Sequence, residues 1–149
     1  MNEEAQEEFA NRCFVCGPEN PIGLRLEFRL EGDLCVAEFT PGENHVGYPD
    51  VVHGGILFSA LDDVMANWLY LQGHRAYTVR CDVRFNAAVN VGSALRLEGR
   101  ELKRRRKVVV MSGEAIRVSD GEVMAEADGR FMIINEQEFA HSSPPKDGR

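Results

Sequence analysis

The chain has 149 residues, of which 44% are hydrophobic, which suits one globular domain with an ordinary apolar core. Its 17 basic and 24 acidic residues give a formal net charge of −7, which argues against nucleic acid or a membrane surface as a partner. No apolar run approaches the roughly 20 residues of a transmembrane helix, and the acidic start lacks the features of a signal peptide, so we expect a cytoplasmic protein.

Three segments are predicted along the chain. Residues 1–22 form a lead segment, residues 23–135 form the folded domain, and residues 136–149 form a tail rich in proline, serine and charge that we expect to be mobile. The lead contains Cys13 and Cys16 in CxxC spacing, which is found in half zinc sites and in redox pairs. No second CxxC and no close HxxxH completes four ligands, so we expect no metal and reduced thiols.

The elements of the domain follow from its hydrophobic periodicity. Residues 23–30 alternate apolar and polar, and with residues 34–40 they predict a hairpin. A period near 3.6 from Gly54 to about Leu71 predicts one long helix, with Gly73 suited to its C-terminal cap. Four strands follow, and the fold class is therefore α+β, an antiparallel sheet on one helix.

The first strand after the helix has a marked alternation. Tyr77, Val79 and Cys81 are predicted to lie on one face of this strand, and Thr78 on the other.

The start of the predicted helix has the composition of a ligand site. Gly54 and Gly55 follow His53, and the first N–H groups of a helix lack partners and carry a partial positive charge. If a thioester carbonyl sits there, these N–H groups stabilise its oxyanion, an effect of roughly 3 to 4 kcal/mol per donor. His53 itself either contacts a ligand, packs, or caps the helix.

Two adjacent aspartates lie further along the helix. Asp62 is two turns from the helix start, where a carboxylate either deprotonates a water or attacks the acyl carbon itself. Asp63 is an alternative base, because neighbouring like charges raise one pKa. Helix aspartates are most often exposed to solvent, and this alternative stays open on the residues alone.

The sequence resembles a known family. His53-Gly54-Gly55, with Asp62 nine positions after the histidine, is similar to the signature of hotdog-fold acyl-CoA thioesterases of the PaaI-like group, and the CFVCG at Cys13 resembles the start of many members. The resemblance covers about residues 13–134. It implies a long central helix wrapped by a curved antiparallel sheet of five to six strands, and two subunits that join their sheets edge to edge with active sites at the interface.

The resemblance also implies roles for individual residues. Gly54 or Gly55 supplies the oxyanion N–H, His53 places the thioester, and Asp62 is the base or nucleophile. Thr78 matches a position where some members hold the attacking water, the alternative being an outward strand threonine. Asp50 departs from the family pattern, since many relatives have glycine there. Further substrate contacts are expected at His45, Gly47, Tyr48 and Phe58.

A run of five basic residues, 103–107, stands in an otherwise acidic protein. Arginine suits phosphate recognition, so Arg104, Arg105 and Arg106 are candidates for binding the phosphates of coenzyme A. The alternative is a solvated hairpin turn that protects a sheet edge.

The function predicted from the sequence is hydrolysis of an acyl-CoA to free acid and coenzyme A, without metal or bound cofactor. The expected assembly is a homodimer, and the sequence leaves open whether two dimers pair into a homotetramer. A non-catalytic acyl-CoA-binding module and a hotdog enoyl-CoA hydratase are the alternatives. The sequence does not identify the acyl group.

Overall fold

A computed structural model describes residues 10–134; the tail predicted to be mobile lies outside them. The elements are β1 (Arg29–Glu31), β2 (Leu34–Phe39), a 3-10 helix (Glu43–His45), β3 (Val46–Tyr48), β4 (Val51–Val52), α1 (Gly54–Tyr70), β5 (Arg75–Phe85), β6 (Leu95–Arg105), β7 (Val108–Arg117) and β8 (Val123–Ile134).

One curved antiparallel sheet packs on the long helix α1. Its six strands run in the order β1-β2-β6-β7-β8-β5, and β3 and β4 form a separate small pair. The apolar face of α1 is buried against the sheet through Leu57, Ala60, Leu61, Val64, Met65 and Leu69. The α+β architecture and the single long helix predicted from periodicity are confirmed. No helix among the described residues is long and apolar enough to cross a lipid bilayer.

The helix approaches the sheet closely where β6 has no side chain. A Cβ built on Gly99 would lie 2.6 Å from the carbonyl oxygen of Val64 in α1, a separation that real structures do not tolerate. The end of α1 is also set by a glycine, because Gly73 has a φ of +89° and its N–H bonds the carbonyl of Tyr70 at 3.0 Å. The predicted C-terminal cap is confirmed.

The first predicted strand is shorter than its alternation indicated. Only Arg29–Glu31 pairs with β2, whereas the earlier residues cross the CFVCG turn, where the Leu26 N–H bonds the carbonyl of Val15 at 2.9 Å. Arg25 has a φ of +56°, which interrupts the extended backbone within residues 23–30. The prediction of one continuous strand over residues 23–30 is therefore wrong.

A β-bulge in β5 changes which side chains face the helix. The register of β5 against β8 shifts between Thr78 and Arg80, so Val79 is the extra residue. Thr78 pairs with Phe131, a fully buried core residue, and paired residues share a face, so Thr78 lies on the helix side. The prediction that Tyr77 and Val79 share the core-facing side of this strand is wrong, and Val79 is 62% exposed.

Strand β5 also forms one edge of the sheet. It pairs with β8 along one side through ten of its eleven residues, and no strand within residues 10–134 lies on its other side. Val79 and Phe85 expose large apolar side chains along this edge.

Candidate active site

His53 caps the helix that it precedes. Its Nδ1 accepts a hydrogen bond from the Gly55 N–H at 2.8 Å, and its own backbone N–H donates to the His45 carbonyl at 2.8 Å. An imidazole that accepts through Nδ1 carries its proton on Nε2, so an N–H remains to donate outward. The capping alternative for His53 is confirmed, and the Gly55 amide is engaged within the chain.

The Gly54 amide is the remaining oxyanion candidate. Gly54 is the first residue of α1, and its N–H donates to no acceptor within residues 10–134. A Cβ at this position would lie 3.4 Å from Cζ of Phe85, so the ring of β5 flanks the helix start. A free N–H at the positive end of a helix beside an apolar wall suits a carbonyl oxygen that gains negative charge.

Asp62 and Thr78 form one hydrogen-bonded pair between helix and sheet. Thr78 Oγ1 donates to Asp62 Oδ1 at 2.8 Å. Burial raises the pKa of Asp62, and the bond from Thr78 partly opposes this by stabilising the ionised form. Asp62 is half-buried, and Thr78, although exposed, directs its hydroxyl to Asp62 on the helix side of the sheet.

Asp63 faces a different environment from Asp62. Successive helix residues point about 100° apart, and Asp63 points to the CFVCG turn, where Cys13 Sγ lies 3.9 Å from its Oδ2. Asn67 Nδ2 donates to the same oxygen at 3.0 Å. Burial, followed by the charge on Cys13, raises the pKa of Asp63 to about 7. The two carboxylates therefore belong to two separate sites.

The other residues expected to bind substrate fall into two groups. His45 and Gly47 support His53, because His45 supplies the carbonyl for its backbone N–H and a Cβ on Gly47 would lie 3.2 Å from its Cδ2. Tyr48 and Phe58 are exposed by 78% and 38%, and are available to contact an apolar ligand.

The basic run 103–107 is divided between two faces of β6. Arg104 pairs with the fully buried Val109, which places it on the helix side, and its Nε donates to Glu101 at 2.9 Å. The opposite face has a groove of about 640 Å³ whose basic lining residues are Lys103, Arg105, Arg106 and Lys107, with Arg130 from β8. The three candidate arginines thus do not form one patch on a single face.

Two residues near the site, Asn67 and Asp50, were not among the predicted site residues, although each had some signal in the sequence. Asn67 stands four residues after Asp63 on the predicted helix, and this spacing puts the two side chains next to each other. Asp50 has a φ of +63°, a conformation that glycine adopts freely, so the backbone at this position would suit glycine.

Residues 50–124 match the family model described as the thioesterase superfamily. The chain belongs to the thioesterase superfamily. A curated relative, the acyl-coenzyme A thioesterase THEM5 of Mus musculus, is 28% identical over 103 residues, which cover 69% of this chain and 42% of the relative. The chain therefore spans less than half the length of that curated member of the superfamily.

Solved structures of the superfamily confirm the predicted hotdog fold. The Escherichia coli PaaI protein from the phenylacetic acid degradation operon has a TM-score of 0.69 at 20% identity, over 75% of this chain and 81% of that one. A Streptococcus pneumoniae hypothetical thioesterase, solved with coenzyme A, has a TM-score of 0.69 at 17% identity, over 74% and 89%. Two further structures of the pneumococcal protein carry alanine for an aspartate and for a threonine sixteen positions apart.

Proposed function

We propose that this superfamily member is an acyl-CoA thioesterase in which Asp62 and Thr78 direct attack on the thioester carbonyl. The observation that carries the proposal is the 2.8 Å hydrogen bond from Thr78 to Asp62, a half-buried carboxylate held toward the edge strand β5. The two residues are sixteen apart, the same separation as the aspartate and threonine replaced in the pneumococcal protein. The THEM5 relative and the coenzyme A in the pneumococcal structure support an acyl-CoA substrate.

The chemistry required is modest. A water, or the Asp62 carboxylate itself, adds to the carbonyl carbon, and the charge that develops on the oxygen is stabilised by the Gly54 N–H. When water attacks, Asp62 takes its proton and returns it to the leaving sulfur as the carbon–sulfur bond breaks, which gives the free acid and the thiol of coenzyme A. When Asp62 attacks, the carbon–sulfur bond breaks to leave a mixed anhydride on Asp62, and water then hydrolyses this anhydride to the free acid while one of its protons completes the thiol of coenzyme A. Thr78 holds one oxygen of Asp62, so the other oxygen is free to accept a proton or to attack.

Helix geometry supports a site built from two chains. Gly54 and Asp62 are eight residues apart, which is about 12 Å along the axis of α1. A donor, a carbonyl and a directly attacking oxygen together span only about 7 Å. Where Asp62 attacks directly, the Gly54 amide and the Asp62 carboxylate that act on one thioester would therefore come from two copies of α1, which a homodimer joined along the outer edge of β5 would supply.

Removing the Thr78 hydroxyl is expected to shift the pH dependence of hydrolysis. Asp62 works in its ionised form, so activity is lost as the pH falls through its pKa, which burial has raised. Thr78→Val removes the bond that lowers this pKa, so the acid limb of kcat/KM should move to higher pH, whereas Thr78→Ser should keep it near the wild-type position. An unshifted limb in Thr78→Val would remove Thr78 from this role.

The basic run gives a prediction about the coenzyme A end of the substrate. Arg104 lies in the same cross-strand row as Thr78, three strands away, or about 14 Å. Replacing Arg104, Arg105 and Arg106 together by alanine should raise KM for acyl-CoA about tenfold with little change in kcat. The matched control is the same acyl group on N-acetylcysteamine, which lacks the phosphates and whose KM should not change. An unchanged KM for acyl-CoA would exclude the arginines from phosphate binding.

The proposed function is tested by thiol release from a panel of acyl-CoAs, from short to long and including aromatic acyl groups. Release of free coenzyme A supports hydrolysis and identifies the acyl class. Binding without release would indicate a non-catalytic module. Loss of enoyl absorbance without release would indicate a hydratase.

A further inference from the structure

The CFVCG turn and Asp63 bring three metal-binding side chains together outside the proposed active site. Cys13, Cys16 and Asp63 each offer a ligand atom, and these atoms all lie within 4.8 Å of one another. The cysteines are fifty and forty-seven positions from the aspartate, so only the fold makes the cluster. We propose that Cys13, Cys16 and Asp63 form a binding site for a thiophilic divalent ion, and that this ion is zinc.

The separations between the ligand atoms fit such an ion. Zinc holds sulfur at about 2.3 Å and carboxylate oxygen at about 2.0 Å in a tetrahedral arrangement, which places the sulfur and the oxygen about 3.5 Å apart. The Cys13 sulfur lies 3.9 and 4.0 Å from the two oxygens of Asp63. A shift of about half an ångström brings this sulfur and oxygen to the separation that zinc requires. The Cys16 sulfur lies within 4.8 Å of both and supplies the third ligand.

The backbone of the turn is shaped to hold a thiolate. The Cys16 N–H is directed at the Cys13 sulfur at 3.5 Å, and the Gly17 N–H closes the turn on the Cys13 carbonyl at 2.9 Å. A Cβ on Gly17 would lie 2.4 Å from the Cys13 nitrogen, so the turn requires glycine. The Cys13 sulfur therefore faces a backbone N–H, which suits a thiolate, the form in which cysteine binds zinc.

The side chain of Asn67 orients the Asp63 carboxylate. Asn67 Nδ2 donates both to Asp63 Oδ2 and to the Asp63 carbonyl, at 3.0 Å each, so the side chain is held by its own helix. Groups that orient a ligand in this way are a regular part of metal sites. The ion would also join the lead segment to α1, because its ligands come from both.

A fourth coordination position is open to a small molecule. The cluster lines a cavity of about 230 Å³, and the other side chains around it include Asn67, Tyr70 and His74. Three protein ligands and a water in the fourth position complete a tetrahedral site. The proposed zinc takes no part in the thioester hydrolysis, since Asp62 faces Thr78 rather than this cavity.

The sequence expectation of no metal rested on counting local ligands. CxxC supplies two of them, and the third is Asp63 on α1, where the sequence alone indicated an alternative base or a solvent-exposed aspartate. The proposed site is independent of the proposed thioesterase activity, because it shares no side chain with the Asp62 and Thr78 pair.

The test measures metal in the full-length chain purified without metal-affinity steps and under reducing conditions. We expect about one zinc per chain by plasma mass spectrometry, loss of that zinc in Cys16→Ser, and an affinity about tenfold weaker in Asp63→Asn. Cys81→Ser is the matched control and should keep its zinc, because Cys81 lies on β5 outside the cluster. Equal zinc content in all variants would overturn the proposal.

A second measurement needs no substitution and so does not depend on a variant that folds. Titration of metal-free wild-type protein with cobalt should produce the near-ultraviolet band of thiolate bound to cobalt, saturating at one equivalent. A reagent that blocks thiols should then release the metal. The absence of this band after full reduction would overturn the proposal. Finding Cys13 and Cys16 joined in a disulfide, with thiols that bind no zinc after reduction, would also overturn it.

Discussion

Asp62→Asn is expected to lower kcat/KM for thioester hydrolysis by about 10² to 10⁴, the usual contribution of a positioned acid–base group. The amide keeps the shape of the carboxylate and can still accept from the Thr78 hydroxyl, so the fold and the pair should be retained. It cannot take a proton from water and is a poor nucleophile. The measurement is steady-state kinetics on the best acyl-CoA of the panel, with the melting temperature recorded for each variant.

Asp63→Asn is the comparison that decides between the two carboxylates. Asp63 contacts thiols and Asn67 on another side of α1, so its loss should reduce turnover far less than the loss of Asp62. If Asp62→Asn keeps normal turnover while Asp63→Asn abolishes it, the assignment of the base is wrong.

Gly54→Pro is expected to reduce kcat by about 10² to 10³, because proline has no N–H and one oxyanion donor would be lost. Proline is well tolerated at the first position of a helix, and His53 before it has φ −61° and ψ 133°, which suits a residue preceding proline. The helix should therefore persist. Gly54→Ala is the matched control, since it adds the same Cβ beside Phe85 but keeps the N–H.

A mixture of these two defective chains tests the origin of the site. If each site takes Gly54 from one chain and Asp62 from its partner, a heterodimer of Gly54→Pro and Asp62→Asn has one intact site and one doubly defective site. Random exchange should then restore about a quarter of wild-type activity, because about half of the dimers are mixed and each has one working site of two. Activity that stays at the level of the separate variants would show that both residues act within one chain.

Much of the fold follows from local pattern, but the face of Thr78 does not. The period of 3.6 and the glycine after it predict α1 and its end correctly, because both depend on residues close in sequence. Strict alternation in β5 predicts Thr78 to point away from the helix. The bulge at Val79 reverses this, and a bulge is set by how β5 pairs with β8 rather than by the residues of β5 alone.

The candidate site shows the same limit. His53, Gly54 and Gly55 are adjacent in the sequence, so their joint position at the helix start was predictable. The different contacts of the neighbouring Asp62 and Asp63 were not predictable. They depend on which residues of the lead segment and of β5 lie against each side of α1. A set of metal ligands that comes from distant segments cannot be predicted by counting ligands that are close in sequence.

The free edge of β5 has a practical consequence for handling the protein. The outer side of this edge strand, with Val79 and Phe85 exposed along it, makes an isolated chain a template on which other strands can add. If copies of the chain associate along this edge, mild denaturant that separates them before it unfolds them should therefore favour aggregation over a long-lived monomer. A single proline placed outward on that strand would remove a backbone N–H donor and reduce the addition of other strands. It would also weaken a dimer formed along the same edge.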